Sequence, residues 1–170
     1  MTFSFRSVLL TLLLSLALVG CGTTKKKATG GDGDVNMGAE STSEAGDIEL
    51  NADSDSGKAG SLRTVFFAYD SATLNSSTRE QLSKNVEFLK ANTSVEVQIE
   101  GHCDERGGVQ YNLALGERRA KAVKDYMVAM GVSSSRVSTI SFGKERPVAF
   151  GHDESAWGQN RRANFVVTAK

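Results

Sequence analysis

The sequence predicts a two-layer α/β sandwich, in which helices cover one face of a β-sheet. Two observations support this fold class. Strand-like and helix-like segments alternate in the order β-α-β-α-β-β, which places amphipathic helices between strands. Every Tyr and Trp, and every Phe except Phe3 and Phe5, lies in residues 62–170. Because aromatic side chains dominate protein cores, we expect the folded domain in residues 62–170.

Residues 1–20 are predicted to be a secretory signal peptide. Arg6 supplies a positive charge near the start, and residues 8–19 form an apolar run interrupted only by Thr11 and Ser15. A membrane-spanning helix needs about 20 apolar residues, whereas the apolar part of a signal peptide needs about 7 to 15. The length of the run therefore favours secretion over a membrane span.

The end of this segment resembles the lipobox of bacterial lipoproteins. Leu18, Val19 and Gly20 precede Cys21, so that a branched apolar residue and a small residue stand where the lipobox has them. The resemblance implies that Cys21 is acylated and becomes the mature N-terminus, with covalent lipid as the only added group and no cofactor. Gly22 replaces the aspartate that retains such proteins in the inner membrane, which implies an outer-membrane anchor and a periplasmic domain. A chance cysteine after the signal peptide is the alternative.

Residues 21–61 are predicted to be the lipidated N-terminus and a disordered linker. Gly, Ser, Thr, Ala, Asp and Lys predominate in this stretch, and residues 22–61 contain no aromatic residue. So few apolar side chains cannot offset the conformational entropy that is lost on folding. The linker is therefore expected to be a flexible tether that joins Cys21 to a folded domain of residues 62–170.

The charge distribution argues against nucleic-acid binding. Residues 22–61 carry four lysines and eight acidic residues, and residues 62–170 carry 15 basic and 12 acidic residues. A nucleic-acid surface needs a concentrated basic patch, whereas the basic residues here are interspersed with acidic ones.

The first half of the domain is predicted to contain two strands with a helix between them. Residues 64–68 are apolar and aromatic enough for a buried strand, and residues 95–99 alternate between apolar and polar as in a half-exposed strand. The sequence STRE at residues 77–80 fits a capping box, which predicts the start of a helix that continues to about residue 91.

The second half is predicted to contain a helix and two more strands. The helix spans about residues 112–130, the third strand covers residues 137–142, and the fourth covers residues 163–168. Residues 143–158, which include the only proline, are expected to form a loop with about one helical turn near Glu154.

Arg119 occupies an unusual position in the predicted second helix. On a helical wheel it lies on the same stripe as Leu115 and Tyr126, which would face the core. A guanidinium on such a stripe costs several kcal/mol unless an anion meets it. The sequence therefore predicts an anion near Arg119. Asp104 and Glu105 are candidates, and so is a ligand.

Two interpretations of Arg119 stay open at this point. In the first, an internal salt bridge with Asp104 neutralises the arginine. In the second, the two side chains bind a zwitterion, such as the end of an α-amino acid. The ligand carboxylate would then meet the planar guanidinium in bidentate fashion, and the ligand ammonium would meet Asp104.

The motifs do not favour enzyme or metal chemistry. His102, Cys103 and Asp104 are adjacent, but neighbours in an extended segment point in alternate directions, which separates a nucleophile from a base. The sequence contains no GxSxG, HExxH or P-loop motif. His102, Cys103 and His152 lack the ligand spacing of a closed zinc site. We therefore predict that the protein is not an enzyme and holds no metal.

Cys103 is expected to be a small residue buried at the end of a strand. If Cys21 carries lipid, Cys103 has no disulfide partner within the chain. The flanking acidic residues disfavour a reactive thiolate. A crosslink between two chains is the alternative.

Several motifs resemble those of the OmpA-like peptidoglycan-binding domain family. The second helix has the spacing N-x-x-L-x-x-x-R-A-x-x-V, from Asn112 to Val123, and the resemblance covers residues 64–168. The segments GHCDERG, YNLALGERRA, SFGKERP, GHDE and NRRA follow a lipobox and a linker in the order found in the family's peptidoglycan-associated lipoproteins. The resemblance implies an α/β sandwich whose helices pack on one face of a four-stranded mixed sheet.

The same resemblance implies a binding site. In the family, a loop aspartate and a helix arginine hold the amine and the carboxylate of diaminopimelate in the peptidoglycan stem peptide, and these two residues match Asp104 and Arg119. Further residues implied to line the pocket are Tyr69, Asp70, Glu105, Arg106 and Leu115. The sequence departs from the family pattern at Cys103, where Ala or Thr is usual, and in FAYD, which replaces the more frequent FDFD.

The resemblance also implies a function and partners. Such a protein would be an outer-membrane lipoprotein that binds peptidoglycan non-covalently and tethers the membrane to the cell wall, as part of the Tol–Pal system in envelope constriction during cell division. The family also implies binding to TolB through an overlapping surface. The alternative is therefore a module whose main role is protein interaction with TolB.

Overall fold

The computed structural model describes residues 48–170. The predictions of a signal peptide in residues 1–20, of lipid on Cys21 and of a linker in residues 21–47 lie outside the described residues. No helix in the part of the chain that the structure describes is long and apolar enough to cross a membrane.

The structure contains a four-stranded mixed sheet and three α-helices. The strands are β1 (Val65–Phe66), β2 (Glu96–His102), β3 (Val137–Gly143) and β4 (Arg162–Ala169). The helices are α1 (Ser76–Ala91), α2 (Val109–Ala129) and α3 (Glu154–Asn160), and a 3-10 turn at Ser134–Arg136 precedes β3. The strand order is β1-β4-β2-β3. β2 and β3 are parallel, whereas β4 is antiparallel to both β1 and β2. The predicted fold class is thus confirmed.

The core lies between the sheet and the helices α1 and α2. Alternate residues of the central strands face the helices, among them Ile99 in β2 and Phe165 in β4, both fully buried. Leu82 in α1 and Met127 in α2 pack into the same cluster. The two-residue alternation of the strands and the helical periodicity of α1 and α2 therefore bring their apolar faces together.

Helix α2 touches β2 through backbone atoms. An added Cβ at Gly101 would lie 1.9 Å from the carbonyl oxygen of Gly116, and one at Gly116 would lie 2.7 Å from the carbonyl oxygen of Gly101. Only glycine at both positions permits this approach. Because Arg119 follows Gly116 by one helical turn, the contact also fixes where Arg119 lies relative to the end of β2.

The predicted element boundaries differ from the observed ones in places. The N-cap of α1 is Asn75, whose Oδ1 accepts from the Thr78 amide at 2.9 Å, rather than Ser77. Strand β1 is limited to two residues, although the Phe67 amide still donates to the Arg161 carbonyl at 2.9 Å. Helix α2 begins three residues before the predicted residue 112.

Helix α3 lies in the segment predicted to be a loop with a single turn. It has seven residues, and Asp153 caps it by accepting from the amides of Ser155 and Ala156 at 2.9 and 3.2 Å. The helix places Trp157 beside the loop that follows β2, which is the loop of the candidate site.

The folded domain begins before the predicted boundary at residue 62. Residues 48–61, predicted to be linker, run along the sheet next to β4. The Asn51 amide donates to the Val167 carbonyl at 2.8 Å, and the Ser54 amide donates to the Phe165 carbonyl at 2.9 Å. Ala59 is fully buried. Backbone hydrogen bonds and small side chains hold this segment, which is why its polar composition wrongly indicated disorder.

Candidate functional site

A polar pocket of about 160 Å³ lies at the end of the sheet from which β2 leads into α2. It is bounded by the segment after β1, the loop after β2 and the first turns of α2. Six of the seven predicted binding residues line it, and Glu105 is the exception. The lining residues are Tyr69, Asp70, Cys103, Asp104, Arg106, Gly107, Tyr111, Asn112, Leu115 and Arg119.

The Arg119 guanidinium is fully buried at the base of this pocket. Its Nε donates to the Ser71 carbonyl at 2.8 Å, Nη1 donates to the His102 carbonyl at 2.7 Å, and Nη2 donates to the Ala68 carbonyl at 3.1 Å. The chain after β1 and the end of β2 therefore both surround one side chain from α2. Burial lowers the pKa of Arg119, because removing the guanidinium from water disfavours its charged form.

Main-chain carbonyls take, in part, the place of the anion that the sequence predicts near Arg119. Three of the five N–H groups of the guanidinium donate to carbonyls, and one faces the Cys103 sulfur at 3.4 Å, which is a weak acceptor. Among residues 48–170, no carboxylate forms an ion pair with Arg119. The internal salt bridge with Asp104 is therefore not formed, and the described residues supply no carboxylate as a counter-charge for Arg119.

Asp104 is also buried, with 4% of its surface exposed, and it pairs with two other arginines. Its oxygens accept from Arg106 Nη2 at 2.6 Å, from Arg106 Nε at 3.2 Å and from Arg161 Nη1 at 3.4 Å. Burial alone would raise the pKa of Asp104. The hydrogen bonds from Arg106 and Arg161 outweigh it and hold the pKa below its ordinary value, so Asp104 is ionised at neutral pH.

Arg106 lies across the mouth of the pocket between two aromatic rings. Its guanidinium carbon is 4.0 Å from the centroid of the Tyr69 ring and 4.0 Å from that of the Trp157 ring. Both contacts are cation–π interactions, which are favourable at partly exposed sites. The loop after β2, the end of β1 and helix α3 thus meet at one side chain.

Asp70 and Tyr111 form the opposite rim of the pocket. Asp70 is exposed and has φ of 50°, a left-handed conformation that is uncommon for a residue other than glycine. Its Oδ1 accepts a hydrogen bond from the Tyr111 hydroxyl. Leu115, with 5% exposed, supplies an apolar wall between the charged groups.

Glu105 points into a neighbouring pocket of about 220 Å³ and not into the pocket of Arg119. Its carboxylate accepts from Trp157 Nε1 at 2.9 Å and bonds His152 Nδ1 at 2.7 Å. The prediction that Glu105 lines the binding pocket is therefore wrong. Adjacent residues of an extended loop face different ways, and α3 offers partners to Glu105 that the sequence pattern did not reveal.

Cys103 is buried, and its thiol contacts the Asn112 carbonyl oxygen at 3.3 Å. Burial raises the pKa of this thiol, which keeps it neutral. This agrees with the predicted small residue at a strand end. In the described part of the chain, no group of three or more His, Cys, Asp or Glu side chains is placed to hold a metal ion.

Three residues of the site were missed by sequence reasoning: Arg161, Trp157 and Tyr111. Arg161 Nε donates to the Phe67 carbonyl at 3.1 Å, and its guanidinium also bonds Asp104 and Glu154. The NRRA segment contains this residue, but no local pattern shows that it reaches a loop 57 positions away. The available signal was the pair of arginines at residues 161 and 162, directly before the predicted fourth strand.

The fold and the pocket define a two-layer α/β domain with a charged pocket at one end of its sheet. The family model described as OmpA family matches residues 66–162. The chain is 44% identical to the peptidoglycan-associated lipoprotein of Pseudomonas aeruginosa over 91% of this chain and 92% of that protein. It is 40% identical to the peptidoglycan-associated lipoprotein of Mesorhizobium japonicum over 92% of this chain and 88% of that protein.

A solved structure shows the same fold. The crystal structure of the peptidoglycan-associated lipoprotein from Burkholderia pseudomallei superposes with a TM-score of 0.60 and 42% sequence identity, and covers 62% of this chain and 89% of that chain. The chain therefore belongs to the OmpA family and, within it, to the peptidoglycan-associated lipoproteins.

Proposed function

We propose that this protein is a non-catalytic outer-membrane lipoprotein that binds the diaminopimelate-containing stem peptide of peptidoglycan and so tethers the membrane to the cell wall. The names of its relatives, peptidoglycan-associated lipoproteins, support the wall as the partner. The arrangement of charges in the pocket supports the particular ligand. In this proposal Asp104 and Arg119 bind the ligand, and Tyr69, Asp70, Arg106 and Leu115 surround it.

The observation that carries the proposal is the buried Arg119 guanidinium, which pairs with no carboxylate among residues 48–170. A buried charge is costly unless it is paired. A ligand carboxylate would complete its hydrogen bonding, and each charge-assisted hydrogen bond contributes about 1.5–3 kcal/mol. Arginine suits this task because its planar fork matches the two oxygens of a carboxylate.

The charge and the size of the pocket also support a ligand group that carries an ammonium. The free end of diaminopimelate carries an ammonium beside its carboxylate, and the ionised Asp104 offers the opposite charge. A volume of about 160 Å³ is small compared with the roughly 300–1,000 Å³ of pockets for drug-sized molecules. The pocket therefore accommodates the end of one residue, while the remainder of the peptide and its glycan lie outside.

The same proposal includes the anchor at Cys21. Lipid on Cys21 would hold the outer membrane, and residues 22–47 would span the distance to the domain. Affinity at one small pocket is expected to be modest. Many tethered copies that face many stem peptides would raise the effective concentration, so that the envelope is held together without tight individual sites.

The proposal is tested by pull-down with purified sacculi that contain meso-diaminopimelate. Arg119→Lys keeps the charge but loses the planar fork, and Asp104→Asn keeps the shape but loses the charge; both should reduce retention of the full-length protein at least about tenfold. Lys121→Ala is the matched control, because Lys121 is an exposed cation of α2 paired only with Asp125. Wild-type retention by both pocket variants, with melting curves that show a folded domain, would contradict the pocket assignment.

A second proposed function is protein interaction, with TolB as the partner within the Tol–Pal system that acts in envelope constriction during cell division. Exposed aromatic side chains around the pockets favour a protein partner. Phe150 is 88% exposed beside the pocket of Glu105, and Tyr69 is 60% exposed at the mouth of the pocket of Arg119. Aromatic residues are enriched at protein interfaces.

Competition distinguishes a shared surface from two separate ones. If TolB binds over the pocket mouth, a soluble diaminopimelate-containing peptide should displace it from the full-length protein. Phe150→Ala should weaken binding of TolB but not binding of the peptide. Simultaneous binding of peptide and TolB would argue against a shared surface.

A further inference from the structure

Asp104 has no open acceptor position in this structure. A carboxylate accepts about four hydrogen bonds, two on each oxygen. Oδ1 accepts from the Arg106 amide at 3.1 Å and from Arg106 Nε at 3.2 Å. Oδ2 accepts from Arg106 Nη2 at 2.6 Å and from Arg161 Nη1 at 3.4 Å. A ligand ammonium can therefore reach Asp104 only if one of these donors leaves.

Arg106 is the donor that can leave. Its side chain is 30% exposed, whereas that of Arg161 is 8% exposed. Arg161 is also held by the Phe67 carbonyl at 3.1 Å and by the Glu154 carboxylate. Besides Asp104, the Arg106 guanidinium contacts the rings of Tyr69 and Trp157. A cation can shift in position over an aromatic ring and keep that contact.

A second position for the Arg106 guanidinium lies beside the first. Arg106 Nη2 is 4.0 Å from Glu154 Oε2, and the Glu154 side chain is 68% exposed. The Trp157 ring, on the same helix as Glu154, contacts the guanidinium in the present position. A short rotation would release Asp104 and shorten the existing ion pair of Arg106 with Glu154, whose Oε2 also accepts from Arg161 Nη1 at 3.3 Å.

We propose that Arg106 is an internal competitor of the ligand, which occupies the ammonium position on Asp104 in the empty pocket and is displaced by the ammonium of a bound ligand. The displaced guanidinium then pairs with Glu154. This inference rests on the proposed function, because it concerns the same pocket. The exchange sets the affinity for ammonium-bearing ligands alone, since a ligand with a carboxylate but no ammonium leaves Arg106 in place.

The proposal predicts the direction of a substitution effect. When the binding-competent state is a minor fraction of the protein, the apparent dissociation constant rises by the reciprocal of that fraction. If Arg106 covers Asp104 for about 70–90% of the time, its removal should tighten binding of an ammonium-bearing ligand about 3- to 10-fold. A residue that simply contacts the ligand would show the opposite effect.

The experiment measures binding of two probes to the full-length protein in detergent. One probe is the tripeptide L-Ala-γ-D-Glu-meso-diaminopimelate, and the other is the same peptide acetylated only at the side-chain amine of its diaminopimelate. Arg106→Ala and Arg106→Gln should bind the first probe about 3- to 10-fold more tightly than wild type and bind the second probe unchanged. Lys121→Ala, an exposed charge removal on α2, should change neither.

Trp157 supplies a second readout, because it is the only tryptophan of the chain. Its emission should change when the tripeptide moves the guanidinium on its ring, and this change should be absent in Arg106→Ala and Arg106→Gln. Equal or weaker binding of the first probe by both variants would overturn the inference. Failure of the wild type to bind either probe would instead overturn the proposed function.

Discussion

Arg119 carries a full positive charge that is buried among main-chain carbonyls. Carbonyl dipoles from Ala68, Ser71 and His102 satisfy its hydrogen bonds in part. They do not neutralise the charge, which an ion-pairing carboxylate would do. Arg119 connects α2 to the segment after β1 and to the end of β2, and so supports the fold. Its charge lacks a carboxylate partner among residues 48–170, which suits the proposed ligand.

The contribution of Arg119 to the stability of the fold can be measured separately from ligand binding. Arg119→Ala should lower the free energy of unfolding by about 2–4 kcal/mol, because it leaves buried carbonyls without donors and opens a cavity. Denaturation by urea measures the change. Arg118→Ala is the matched control, since Arg118 is the exposed neighbour on the same helix and should change stability by less than about 0.5 kcal/mol. Equal effects of the two substitutions would contradict a structural role for Arg119.

The pair of His152 and Glu105 predicts a pH effect at the residue scale. The hydrogen bond from His152 Nδ1 to the Glu105 carboxylate raises the pKa of His152 above 6.5, and the bonds from His152 and Trp157 lower the pKa of Glu105 below 4.5. Glu105→Gln should therefore lower the pKa of His152 towards 6.5, as measured by titration of its ring protons in NMR spectra. An unchanged pKa of His152 would show that the pair does not persist in solution.

The sign of the linked stability follows from the same shifts. A raised pKa of His152 stabilises the fold fully below pH 6.5, and this contribution is lost as the pH rises through the raised value. A lowered pKa of Glu105 stabilises the fold above pH 4.5, and this contribution is lost as the pH falls. The pair therefore contributes most between pH 4.5 and 6.5.

At the scale of elements, the contact of α2 with β2 decides where the pocket lies. An added Cβ at Gly116 would lie 2.3 Å from Ser141 Oγ and 2.7 Å from the Gly101 carbonyl oxygen. Gly116→Ala should therefore push α2 away from the sheet and lower the free energy of unfolding by about 3 kcal/mol. Because Arg119 lies one turn further along α2, sacculus binding should fall as well.

The control for this prediction is another helical glycine. Gly158 in α3 has its nearest neighbour 3.7 Å from an added Cβ, so Gly158→Ala meets only ordinary contacts. It should leave stability unchanged or raise it by up to about 1 kcal/mol, since alanine favours helix. Equal stability of Gly116→Ala and wild type in thermal unfolding would show that the two elements separate without cost.

The sequence could predict the main elements and the buried arginine, because these depend on local periodicity. The helical wheel placed Arg119 on the inner face of α2, and the two-residue alternation placed Ile99 inside. Partners that are distant in the chain had no such signal. Arg161 reaches Asp104 across 57 positions, and Trp157 reaches Glu105 across 52. Reasoning from the residues alone suggested a zwitterion site at Asp104 and Arg119, the family resemblance added the other lining residues, and neither could show which way Glu105 points.

Residues 48–61 show that amino-acid composition alone can wrongly predict disorder. Few apolar side chains predicted disorder, yet backbone groups of Asn51 and Ser54 pair with β4. Asn164 Oδ1 also accepts from the Ser54 and Asp55 amides, at 3.1 Å each. Hydrogen bonds to a neighbouring strand depend on tertiary position, which a count of apolar residues does not measure.

At the scale of the whole molecule, the proposed function requires two attachments that work independently. The hydrophobic core of the described domain is built from residues between Ile48 and Val167. The pocket is lined by residues 69–119. Both lie within residues 48–170, the part of the chain that the structure describes, and we propose that the wall site there and the lipid anchor at Cys21 are separable by substitution.

Cys21→Ser tests that separation. If lipid on Cys21 is the membrane anchor, the substituted protein should leave the membrane fraction, as measured by fractionation of cells. The dissociation constant for the tripeptide should stay within about twofold of wild type if the proposed anchor and the proposed wall site act independently. Membrane vesicles that carry the wild-type protein should sediment with sacculi, whereas vesicles from cells with Cys21→Ser should not. Continued membrane attachment of Cys21→Ser would show that another segment holds the membrane and would contradict the anchor.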